Sequence, residues 1–123
     1  MKAVAGTDEH GRPRHGVFRE IFKNGKIACE GEFDHGRKTG IWTYYLANGS
    51  VKAVGGYRDD LIVGDWRWYR ENGQLMQTGS FSDDGEKHGR WRRFDADGEL
   101  MDETLFEHGK KVGSQSARGN KET

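Results

Sequence analysis

The chain has 123 residues with 20 Lys and Arg against 20 Asp and Glu, so its formal net charge is zero and its length fits one small domain. That balance argues against a nonspecific polyanion binder, since phosphate contacts require a local excess of positive charge. Only 33% of residues are hydrophobic, against about 45 to 50% apolar in ordinary soluble domains, which excludes a thick two-layer core.

Residues 1–9 show no hydrophobic period and are predicted to be a flexible N-terminus. They also lack the apolar stretch of a secretory signal, and apolar runs such as Leu61-Ile62-Val63 fall far short of a membrane span. A cytoplasmic location is therefore expected. Residues 10–16, HGRPRHG, resemble connectors found later in the chain and read as the tail of an incomplete leading unit, 10–15. Cys29 has no partner for an intramolecular disulfide and is read as a small apolar strand residue.

From Gly16 onward the chain repeats. Gly16, Gly40, Gly64, Gly89 and Gly113 recur at steps of 24, 24, 25 and 24 residues, defining units 16–39, 40–63, 64–88 and 89–112 within a repeat domain spanning 10–113. Two positions after the first four glycines stand Phe18, Trp42, Trp66 and Trp91; five positions after stand Ile21, Tyr45, Tyr69 and Phe94. A turn dipeptide follows, Asn24-Gly25, Asn48-Gly49, Asn72-Gly73 or Asp97-Gly98, then a second apolar segment and a connector. Each unit is thus predicted to be one β-hairpin. The fold class is all-β: an open antiparallel meander of about eight strands forming one curled sheet. Residues 114–123 are predicted to be a disordered tail.

A two-residue loop at each Asn-Gly, the preferred register, would place Trp42 opposite Gly55, Trp66 opposite Gly79 and Phe18 opposite Gly31, so that a large ring covers a residue without a side chain, whereas a loop longer by one residue would set Arg19 opposite Cys29 and Trp42 opposite Val54. It would also pair Arg19 with Glu30 and Arg92 with Glu103. In that register the Trp column shares one face with the Phe and Tyr residues near the end of each second strand, and this face is the predicted core. The column Ile21, Tyr45, Tyr69, Phe94 then points to the other face, beside Arg19, Thr43, Arg67 and Arg92. Arginine beside tyrosine is the composition of an interface hot spot. Arg19, Tyr45, Arg67, Tyr69, Arg92 and Phe94 are the candidate protein-binding residues.

No motif for nucleotide binding, serine-nucleophile catalysis or zinc proteolysis is present, so no enzyme activity and no cofactor are expected. No metal site is expected either. Asp59-Asp60 and Asp83-Asp84 occupy turns, and equivalent histidines in successive hairpins would lie about 9 to 10 Å apart, too far to share an ion. Carboxylates along the connector edge argue against nucleic acid, and the densest basic group, Arg90, Arg92 and Arg93, is small for anionic lipid.

The segments GIWTYYLANG (40–49), GDWRWYRENG (64–73) and GRWRRFDADG (89–98), with the weaker copy GVFREIFKNG (16–25), resemble the MORN repeat in its bacterial variant. The resemblance spans about residues 10 to 113 and implies a hairpin-repeat fold. Proteins similar in this way are commonly labelled antitoxins of toxin–antitoxin systems, and MORN repeats elsewhere are regarded as scaffolds or lipid-binding elements. It therefore implies a non-catalytic interaction module that occludes a toxin or effector. The alternative is a scaffold that self-assembles, for example as a homodimer, or attaches to a membrane surface. The fourth unit departs from the pattern at Thr104, where glycine is expected, and reads as a polar cap.

Overall fold

The computed structural model describes residues 6–117 and shows one antiparallel sheet whose strand order is the chain order, with no helix among these residues. The strands are β1 (Gly16–Ile21), β2 (Ile27–Asp34), β3 (Arg37–Tyr45), β4 (Val51–Arg58), β5 (Leu61–Tyr69), β6 (Leu75–Phe81), β7 (Lys87–Phe94), β8 (Leu100–Glu107) and β9 (Lys110–Ser116). The order runs from β1 to β9 without closure, so the sheet is open.

Two terminal expectations are corrected. A ninth strand, β9, follows the four hairpins and pairs with β8 through Ser116, so the predicted disordered tail does not begin at 114; residues 118–123 lie outside the described range. At the other end residues 6–9 belong to a hydrogen-bonded turn, while 1–5 lie outside the described range. The Asp8 N–H donates to the Arg12 carbonyl at 2.8 Å, and Asp8 Oδ1 accepts from the N–H groups of His10 and Arg12. Asp95 accepts from Asp97 and Glu99 in the same way, so the leading segment forms the turn of a repeat and not a connector.

The Asn-Gly turns are one residue longer than predicted. The Phe22 N–H donates to the Lys26 carbonyl and the Gly25 N–H to the Phe22 carbonyl, and the pattern recurs from Leu46, Arg70 and Asp95. Gly25 sits at φ 87. This is a three-residue loop, a type I turn closed by a glycine bulge. The predicted pairs still form, Phe18 with Gly31, Trp42 with Gly55, Trp66 with Gly79, Arg19 with Glu30 and Arg92 with Glu103. They survive because a register shift beside each turn, where Glu20 pairs Cys29 but Ile21 pairs Ile27, absorbs the extra residue. Two-residue loops occur in the connectors instead. His35-Gly36, Asp59-Asp60 and His108-Gly109 all have φ between 48 and 90, the geometry of a type I′ turn. The third connector, with its additional residue, repeats the three-residue form from Ser82 to Glu86.

Between repeats the ladder is interrupted three times in one way. A single residue, Gly31, Gly55 or Gly79, stands against three, Gly40-Ile41-Trp42, Gly64-Asp65-Trp66 or Gly89-Arg90-Trp91. The bulged segment lays its indole on the glycine, where any β-carbon would overlap the ring of Trp42, Trp66 or Trp91. The indole N–H donates to the carbonyl of the following residue, Glu32 at 3.0 Å, Gly56 at 3.2 Å and Ser80 at 3.1 Å. Each glycine therefore pairs with the aromatic residue of its own hairpin but is covered by the tryptophan of the next. The predicted within-hairpin cover is corrected to a lock between repeats.

These indoles form the core of the sheet, with Trp42, Trp66 and Trp91 exposed by 0%, 3% and 6%. Their neighbours from the second strands meet them edge to face, Phe33 on Trp42 at 5.1 Å, Tyr57 on Trp66 at 5.4 Å and Phe81 on Trp91 at 5.1 Å. Burial, with a hydrogen bond to Tyr57, pushes the Tyr44 hydroxyl well above its ordinary pKa.

Candidate interaction face

The side chains opposite the tryptophans come from alternate positions of the same strands, and the sequence-predicted column divides there into paired and unpaired members. Arg19 Nε donates to Glu30 Oε2 at 2.9 Å, and the Tyr45 hydroxyl donates to Glu30 Oε1, also at 2.9 Å. Hydrogen bonds from Arg19 and Tyr45 hold the Glu30 carboxyl below its ordinary pKa, while burial and the bond to Glu30 push Tyr45 up. At the other end Arg92 Nε donates to Glu103 Oε2 at 2.6 Å, and Arg90 Nε lies 3.9 Å from the second oxygen of the same carboxylate. Arg93, with the other parity, grips both oxygens of Asp102, and this hydrogen bonding lowers the Asp102 pKa. The basic cluster at 90–93 is thus matched by carboxylates of β8. Phe94 is half-buried.

Arg67 differs. It pairs through its backbone with Val54 and Thr78, where Arg19 and Arg92 face glutamates. Among the described residues it has no charged partner, and its side chain is exposed. It borders a depression of about 650 Å³ lined by Ile41, Val54, Gly56, Val63 and Asp65. A second depression of about 500 Å³, lined by Thr43, Val51, Val54 and Tyr69, adjoins it at Val54. Gly56 shapes the floor, because a β-carbon there would lie 3.1 Å from the Val63 carbonyl oxygen. Ile41 is 65% exposed at the rim.

The structure therefore gathers Arg67 and Tyr69 around an apolar floor and separates them from the closed cluster of Arg19, Tyr45 and Glu30. Ile41, Val54 and Val63 were not legible as site residues, since their convergence depends on the three-against-one irregularity between repeats. Sequence reasoning also passed over Tyr44 and Trp68, which stack on either side of Trp66 with interplanar angles of 26°. Their signal was available, because each lies two positions beyond a core tryptophan and shares its face. The exposed chemistry is a planar cation, a phenol ring and an aliphatic floor.

Hairpins locked in series define a linear β-hairpin repeat protein. The model of the MORN repeat variant matches residues 14–35, 62–83 and 87–108, more than half of the chain, and the chain belongs to that family. No curated protein matches it. Among solved structures it is similar to S. aureus TarM, crystallised with fondaparinux, an α-GlcNAc-glycerol and UDP, at 9% identity and a TM-score of 0.50. The likeness covers 78% of this chain and 19% of TarM, and at that identity it concerns the fold alone.

Proposed function

We propose that this chain is a non-catalytic module that holds a partner protein against the face carrying Val54, Arg67 and Tyr69. Repeats of this family are commonly protein- or membrane-binding modules. The observation supporting a protein partner is Arg67, the middle arginine of its column, left without a charged partner among the described residues and set beside an apolar depression. A guanidinium so placed gains most from a carboxylate on a partner that also covers the aliphatic floor, because burial strengthens the charged hydrogen bonds. The resemblance to antitoxins gives the particular partner proposed, a toxin or effector whose working surface this face occludes.

The test is capture from the native host with the tagged chain, followed by mass spectrometry, in parallel with Arg67→Glu and Tyr69→Ala. One stoichiometric protein lost from both variants is the expected result. Capture unchanged by both variants would move the interface elsewhere. Salt-sensitive binding to anionic vesicles that disappears in Arg90→Glu would favour a membrane surface.

A further inference from the structure

Four of the five histidines lie at two repeat positions, His15 and His88 immediately before a repeat glycine and His35 and His108 immediately before a connector glycine. Equivalent positions in successive hairpins are too far apart to cooperate, but the two kinds of position meet inside one hairpin. Pairing of Gly16 with Phe33 sets His15 against Asp34, and the type I′ turn then carries His35 back beside His15 at φ 48. The two imidazole rings have centroids 4.5 Å apart and planes inclined by 50°. His35 Nδ1 lies 2.6 Å from Asp34 Oδ1, and His15 Nδ1 lies 3.8 Å from the same oxygen.

We propose that His15, Asp34 and His35 form a binding site for a zinc-class divalent transition metal at the rim of the first hairpin. One ligand atom from each residue falls within 4.8 Å of the others. Tetrahedral zinc with bonds of about 2.0 to 2.2 Å separates its ligands by roughly 3.3 to 3.5 Å, a value inside the spread already present. The side chains are exposed by 62%, 56% and 84%, so small rotations can complete the geometry and water can fill the remaining position. Two imidazoles with one carboxylate suit Zn²⁺, Ni²⁺ or Cu²⁺ and not a hard cation such as Ca²⁺.

The fourth hairpin supplies an internal control. Pairing of Gly89 with Phe106 places His88, Glu107 and His108 at the same repeat positions, yet among the described residues only His15, Asp34 and His35 bring their ligand atoms together.

The full chain is titrated with ZnCl2 by calorimetry while the imidazole resonances are followed by NMR. We expect saturation at one equivalent, with His15 and His35 shifting first. His15→Gln keeps an acceptor for the His35 N–H, which His15 Nδ1 now receives at 3.1 Å, and His35→Asn keeps a residue tolerant of left-handed backbone. With unchanged thermal melting, each variant should weaken zinc binding by about tenfold or more, while His88→Gln and His108→Asn leave it unchanged. Absence of saturable binding in the parent chain would overturn the proposal. So would binding that persists in both first-hairpin variants or disappears in the fourth-hairpin variants.

Discussion

Gly55 and Trp66 are two halves of one contact. A β-carbon on Gly55 would overlap the Trp66 indole, so Gly55→Ala should destabilise by about 3 kcal/mol, the upper range for overpacking. Trp66→Ala should cost about 3 to 5 kcal/mol by emptying the same space. In urea denaturation the double variant should be much less unstable than the sum, because once the ring is gone the methyl group has room. Tyr69→Ala, on the other face, should cost about 1 kcal/mol or less while impairing partner capture. The sequence made the pairing of tryptophan with glycine legible, since turn spacing sets which residues face each other. It did not show which indole covers which glycine, because that depends on a ladder irregularity in space. Arg67 was legible as one member of a column; its lack of a carboxylate partner followed only when Thr78 was seen opposite it.

The hairpin turns show how local chemistry and register can diverge. Asn-Gly predicted a two-residue loop, but Asn24 uses its side chain otherwise, accepting from the Lys26 N–H at 2.9 Å and donating to the Ala47 carbonyl of the next turn at 2.8 Å. Lys26 Nζ likewise reaches the Asn48 carbonyl at 3.1 Å, so successive turns are joined along one rim. Gly25→Ala should destabilise by about 1 kcal/mol, because φ 87 is unfavourable for a side chain. The strand pairs add a pH dependence. The carboxyls of Glu30 and Asp102 titrate below their ordinary values of 4.5 and 3.8, held down mainly by Arg19 and Arg93. Their contribution to stability is present above those ordinary values and is lost as pH falls through the lowered ones. Denaturation midpoints measured from pH 6 to 2 should decline in that acid window, and Asp102→Asn should flatten part of the decline.

Stability of a linear array sums over neighbours, and here the locks are unevenly distributed. The inter-repeat lock recurs at Gly31, Gly55 and Gly79, whereas β8 and β9 meet without one, since Thr104 replaces the glycine and Gln115 occupies the tryptophan position. Amide exchange should therefore be slowest in β3 to β6 and fastest in β9. The four-hairpin plan was legible because one step length recurs, whereas β9 was missed because its sequence has neither a tryptophan nor a hydrophobic period. The lock is also directional. Trp42, Trp66 and Trp91 each reach back to the preceding hairpin, so a tandem duplication of residues 40–63 would meet a glycine behind it and supply one to the unit ahead. An ancestral gene could lengthen this protein one whole module at a time without inventing a new joint, and the threonine at 104 marks where such growth stops.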